Sequence, residues 1–200
     1  VIQRTREDIR QGQLGLTWSG ALGALDGEVG LWGIRRDFLG AIPPAVVGFD
    51  RNVGGMRALF QGGHETGLGL LTLGGGVEVE LQSDDRQNWE NESGERGALT
   101  LDQDESVRST GSFFQARLDL APSVALLGGL RWDRFTFEAD DRFTADGADD
   151  SGERAMDALS PSAGVVVEPL PRLEIFASVA TSFETPTTTE LTNRPDGAGG

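Results

Sequence analysis

The chain has no cysteine, no lysine and no tyrosine, a single histidine, and nowhere a long unbroken run of apolar residues. Without cysteine there is no disulfide framework, no thiolate metal site and no thiol nucleophile. The single imidazole, His64, stands in the turn-like stretch Gly62-Gly63-His64-Glu65, with no second imidazole for a metal and no Ser-His-Asp set around it. The chain is therefore expected to be no enzyme and to carry no metal or cofactor. Its seventeen basic residues, all arginine, face 32 acids, for a net charge of −15. So acidic a surface argues against a nucleic-acid partner, whose phosphates need clustered cations. The missing apolar run excludes membrane helices, which need about 20 such residues. It leaves barrels untouched, because an alternating strand scores near zero on hydropathy. The start, VIQRTRED, shows no basic n-region or apolar h-region of a signal peptide, and the sequence stops at Gly199-Gly200 in a loop-like stretch. An internal segment of a longer protein is the expectation.

What the chain does have is glycine, 29 residues of it, and a period of two. From Leu173 to Phe183, positions Leu173, Ile175, Ala177, Val179 and Phe183 are apolar, while Glu174, Ser178, Ala180 and Ser182 are small or polar. Alternation of that length predicts a strand with one apolar face, long enough to cross a bilayer at a tilt. Phe183 is expected at the outer lipid interface, and Pro186 where the wall ends. Similar strands are predicted over Arg4–Ser19, Gly27–Phe38, Asp50–Gln61, Gly67–Gln82, Ser106–Leu120, Val124–Phe137 and Leu159–Glu168. In the second of them Leu31, Trp32 and Ile34 straddle both faces. The fold class is all-β: about eight antiparallel up-and-down strands.

Between them lie a Gly- and Ala-rich connector (Gly20–Gly27), a loop with Pro43-Pro44 (Leu39–Phe49), two acidic loops (Ser83–Glu105 and Glu138–Ala155), and tight turns at Ala121-Pro122-Ser123 and Pro169-Leu170-Pro171. Every second connection of an up-and-down barrel lies at the same end, so one rim should carry tight turns and the other large loops. The charge follows that division. Glu78–Glu105 holds ten acids and two arginines, net −8, and Glu138–Arg154 holds seven acids and two arginines, net −5.

The acidic loops invite a calcium reading, but Asp140, Asp141, Asp146, Asp149 and Asp150 do not keep the alternate-position spacing of an EF-hand, and a solvated charged loop is the plainer account. Gly74-Gly75-Gly76 precedes no helix, so it is read as a bend or bulge and not a phosphate loop. The polar faces are more telling. If the apolar faces meet lipid, then Glu78, Glu80, Gln115, Arg117, Arg131 and Asp133 point into a lumen, where they are the candidate substrate contacts.

The segments SFFQARLDLAPSVALLGGLRWDRF and SPSAGVVVEPLPRLEIFASVATSFETPTTTEL resemble successive barrel hairpins of the TonB-dependent outer-membrane receptors. The second ends in their Ser-Phe-x-x-Pro-Thr-x-x-Glu-Leu signature at Ser182, Phe183, Pro186, Thr187, Glu190 and Leu191. FDRNVGGMRALF and DDRQNWEN resemble earlier segments of the same barrels. The resemblance implies that residues 1–200 are part of a transmembrane barrel of about 22 strands, without its N-terminal plug or C-terminal end, in the bacterial outer membrane. It further implies import of a scarce nutrient, a ferric siderophore being the commonest case, with outer-membrane lipid, a metal chelate and TonB (through the missing N-terminal region) as partners. The family usually has tyrosine at the Trp132 position and in its girdles; here tryptophan and phenylalanine take that place. The alternative is a secreted or surface β-rich binding module, adhesin-like, with calcium-dependent acidic loops.

Overall fold

Alternation becomes strand along nearly the whole chain in a computed structural model, which describes residues 5–185. The strands are β1 (Arg6–Leu22), β2 (Leu25–Ala41), β3 (Ala45–Thr66), β4 (Gly69–Glu92), β5 (Glu95–Ala121), β6 (Val124–Asp141), β7 (Gly152–Leu170) and β8 (Leu173–Ala180), with one 3-10 turn at Thr144–Asp146. Each pairs antiparallel with the next in chain order, giving one open eight-stranded sheet. β1 and β8 form its two edges.

The strands are longer than the sequence pattern suggests, and three expected loops are corrected. Ser83–Glu105 is mostly strand: β4 and β5 climb side by side and reverse at Ser93-Gly94, where both residues have positive φ (61° and 98°) as a two-residue hairpin turn requires. Asn91 steadies that turn, its Oδ1 accepting a hydrogen bond from Gly94 N at 2.7 Å. Leu39–Phe49 shrinks to Ile42–Pro44, and Glu138–Ala155 to residues 142–151. At the other rim Gly62–Glu65 lies inside β3, the reversal falling at Gly67-Leu68, and the Gly20–Gly27 connector is strand apart from Gly23-Ala24. The glycines Gly74–Gly76 form no bulge, for pairing to both neighbours runs through them in register. The ladder shifts instead at Asn88–Asn91 and near Asp119–Ala121.

One face is apolar over a band. It carries Leu14, Leu16 and Trp18 on β1, Leu31 on β2, Met56 and Phe60 on β3, and Leu73, Val77 and Leu81 on β4. Phe114, Leu126, Leu130, Trp132, Leu159, Ile175 and Val179 continue it across β5 to β8, and all are exposed. This face is convex; the opposite one encloses a groove of about 820 Å³. The band spans roughly the 9 to 11 residues of each strand that a bilayer demands. The 27 residues of β5 run roughly 90 Å at about 3.3 Å each. Much of β3 to β5 therefore stands beyond the band, at the end where the acids are.

Candidate functional site

Strand pairing decides which side chains share the concave wall. Glu78 on β4 lies opposite Arg57 on β3 and Gly111 on β5, and Gly111 lies opposite Asp133 on β6. By the same register Glu80, Gln115, Arg117 and Arg131 face that side, so all six sequence candidates line one wall. They form no single cluster. Arg117 pairs with Asp119 at 2.8 Å near the tight-turn rim, while Arg131 and Asp133 sit farther up.

Three local arrangements explain the middle of the wall. Arg131 folds back on its own strand, donating from Nε and Nη2 to Asp133 at 2.8 and 2.6 Å. It fits because Gly111 faces it: an added Cβ there would stand 2.7 Å from Arg131 Nη2. Trp32 Nε1 donates to Glu80 Oε2 at 3.2 Å, reaching from β2 to β4 across Gly55, where any side chain would collide with the indole. Arg57 donates to Glu28 at 3.2 Å. Below them the groove is floored by neutral donors and acceptors, among them Gln115, Ser160, Ser162 and Ser178, with Phe113 and Phe176 as apolar walls.

Higher up, one rung crosses five strands: Gln11, Arg36, Arg51, Asp84 and Glu105, each opposite the next. Arg51 donates from Nε to Asp84 Oδ1 at 2.8 Å, and Gln82 adds a bond to Oδ2 at 3.0 Å, so that Asp84 is only 2% exposed. Arg86 donates to Glu105 at 3.0 Å. Phe38 and Phe49 stack beside the rung at 4.9 Å. None of these residues stood out as a candidate in the sequence, because their segments lack an apolar–polar contrast. A strand-pairing register, once known, finds them directly.

Phe183 is a correction. The chain leaves the sheet after Ala180, and the Phe183 ring lies 6.3 Å from that of Phe135, which is on the concave face with Asp133. It therefore folds inward and not to the outer lipid interface. Pro186 lies outside the described residues. His64 is on β3, opposite Leu71, on the convex side near the tight-turn rim. Two aspartates serve the backbone of the 142–151 connection: Asp141, at the end of β6, accepts from Phe143 N at 2.9 Å and Asp150 N at 3.0 Å, and Asp149 accepts from Ser151 N at 3.1 Å. Among the described residues no three metal-ligating groups are gathered for an ion.

An up-and-down sheet with an apolar convex band and a concave wall of paired charges is the architecture of an outer-membrane barrel. The model of the TonB-dependent receptor-like β-barrel matches residues 5–200. The chain belongs to that family. Family members of this kind are outer-membrane proteins of Gram-negative bacteria, and an apolar convex band is what the lipid-facing wall of such a barrel requires. Among solved structures it is similar to the unliganded ferric citrate transporter FecA (TM-score 0.77, 12% identity, covering 88% of this chain and 28% of that one). It is also similar to the alcaligin outer-membrane receptor FauA from Bordetella pertussis (0.70, 13%, covering 87% and 29%) and to the copper transporter OprC (0.70, 15%, covering 90% and 31%). The chain thus spans less than a third of the length of these relatives, and at such identities the likeness is one of fold.

A wall built in this way can hydrogen-bond and electrostatically orient a polar solute.

Proposed function

We propose that the chain forms adjoining staves of a larger barrel, completed and plugged by other parts of a longer protein, and that the whole imports a small metal chelate with energy delivered by TonB. A ferric siderophore is the leading substrate. The observation that carries this reading is the two-sidedness of the wall, lipid-compatible outside and charged inside, with both sheet edges, β1 and β8, open to further strands. A soluble adhesin-like module would need the reverse exposure, polar outside and apolar inside. The ferric citrate transporter FecA, the alcaligin receptor FauA and the copper transporter OprC agree with a metal-bearing cargo.

The test is uptake by cells carrying the intact protein. Of radio-iron delivered as ferric citrate, radio-iron delivered as a catecholate chelate, and copper, at least one should enter at a reduced rate when the gene is deleted and equally when TonB is removed. Unchanged uptake of all three would remove the transport reading. Orientation has its own measurement: a cysteine replacing Ser93, at the β4–β5 tip, should be labelled on intact cells by an impermeant maleimide, and one replacing Leu68 should not.

A further inference from the structure

Along the concave wall the arginines are matched to carboxylates almost one for one. Arg57 has Glu28, Arg51 has Asp84, Arg86 has Glu105, Arg117 has Asp119 and Arg131 has Asp133. Among the described residues Arg154, exposed on β7, has no such partner, and neither has Arg36. Its Nε is buried without a hydrogen bond, and its guanidinium carbon lies 6.0 Å from the centre of the Phe38 ring.

The rung makes this imbalance sharper. Arg36 stands between uncharged Gln11 on β1 and Arg51 on β3. Like charges directly opposite on neighbouring strands repel. Asp84, the nearest acid on that rung, is already occupied on both oxygens by Arg51 and by Gln82. The order Gln, Arg, Arg, Asp, Glu therefore leaves uncompensated positive charge and an unmet buried donor at one end, in a chain whose net charge is −15. A buried donor without an acceptor is costly, and an acceptor brought in from outside relieves both faults.

The neighbours define its shape. Phe38 and Phe49, one rung along on the same face, stack at 4.9 Å with 15° between their planes, and the Arg51 guanidinium lies 4.9 Å over Phe49. A guanidinium fork suits a two-oxygen acceptor, and flat rings beside it suit a flat ligand. We infer that the corner formed by Arg36, Phe38 and Phe49 is an anion subsite that takes the carboxylate of a planar aromatic ligand. This rests on the reading of the concave wall as the surface the cargo touches, and it adds the charge and shape of the group recognised there.

The experiment uses the full-length protein in detergent, with benzoate as the probe and benzamide as its neutral match, read by ligand-observed NMR titration. Benzoate should bind at least about tenfold more tightly than benzamide, since a charge-assisted pair is being compared with a neutral one. Arg36→Gln should remove that preference, Arg36→Lys should keep part of it, and Phe38→Leu should weaken both probes. Arg134→Gln, on the convex face, should bind as the unaltered protein does. Heat-modifiable mobility on gels reports whether each variant is folded; should Arg36→Gln fail to fold, Arg36→Lys and Phe38→Leu decide. Absence of benzoate binding, as when a carboxylate elsewhere in the longer protein holds Arg36, overturns the inference, and so does full binding by folded Arg36→Gln. Transport is read separately by radio-iron uptake, so either idea can fail while the other stands.

Discussion

Asp85 on β4 lies directly opposite Asp104 on β5, and the Arg142 guanidinium binds both, at 2.6 and 3.1 Å. They belong to a longer row. Asp37, Asp50, Asp85, Asp104 and Asp140 face one another in turn from β2 to β6, on the convex side beyond the apolar band. Strands about 4.8 Å apart hold these carboxylates close enough to repel. Arg142, which also reaches Asp102, bridges the row between β4 and β5, and its pKa is raised above the ordinary arginine value, first by the hydrogen bond to Asp85.

Arg142→Gln should therefore loosen the tall end of β4 to β6. The pairs are solvent-exposed, so the loss should be roughly 1 kcal/mol at low salt. It should shrink toward zero in 1 M salt, where the screening length falls to about 3 Å. Denaturant titrations of the full-length protein at the two ionic strengths measure this. A loss that ignores salt would mean that Arg142 acts by packing and not by charge.

Gly55 should tolerate no side chain. The indole of Trp32 lies across it on the way to Glu80, so Gly55→Ala must push the ring aside and break the 3.2 Å bond. Overpacking of this kind costs about 1–3 kcal/mol. The emission of a variant keeping Trp32 as its sole tryptophan should shift when alanine is introduced, and Gly54→Ala, whose Cβ would point the other way with space around it, should leave it unmoved.

How far the sequence could be read depends on where water is. In the band one face meets lipid and the other a polar lumen, so Leu71 to Leu81 alternate visibly and the strand is plain. Beyond the band both faces are wet. Asp84 and Asp85 are consecutive acids on one strand, one buried against Arg51 inside and the other bound to Arg142 outside. Their contrast is absent from the sequence, and so the tall strands read as loops there. The face of Trp32 was open for the opposite reason: Leu31, Trp32 and Ile34 are all apolar, and only pairing with Gly55 and Val53 assigns Trp32 and Ile34 to the lumen. The six candidate residues were readable because each alternates with lipid-facing neighbours. Arg36, Arg51, Phe38 and Phe49 depend on register across strands far apart in sequence, which no local pattern records.

Acid should release the 142–151 connection. Asp149 accepts hydrogen bonds from the hydroxyl and backbone N–H of Ser151, which lower its pKa below the usual 3.8. A depressed carboxyl pKa adds stability that is present above the unfolded value and lost as pH falls through the folded one. Amide exchange in this segment, taken relative to its intrinsic rate at each pH, should accelerate as pH falls below the usual 3.8 and should lose that dependence in Asp149→Asn. Acceleration already near neutrality would point to another group.

The two faces of the wall predict opposite responses to the same substitution. Leu130 is in the middle of the band on β6, 46% exposed on the convex side. Ser162 on β7 is also exposed, but lines the concave groove. Arginine at the bilayer midplane of a barrel costs about 2–4 kcal/mol, because the guanidinium leaves water for hydrocarbon. Leu130→Arg should therefore lower the unfolding free energy of the full-length protein in lipid vesicles by that amount. Ser162→Arg, which keeps its charge in a wet lumen, should cost no more than about 1 kcal/mol. In detergent-free buffer the contrast has no meaning, so the measurement must be made in bilayers, by urea titration of folded protein. Equal losses at the two sites would contradict the assignment of the convex band to lipid, and a larger loss at Ser162 would invert the barrel.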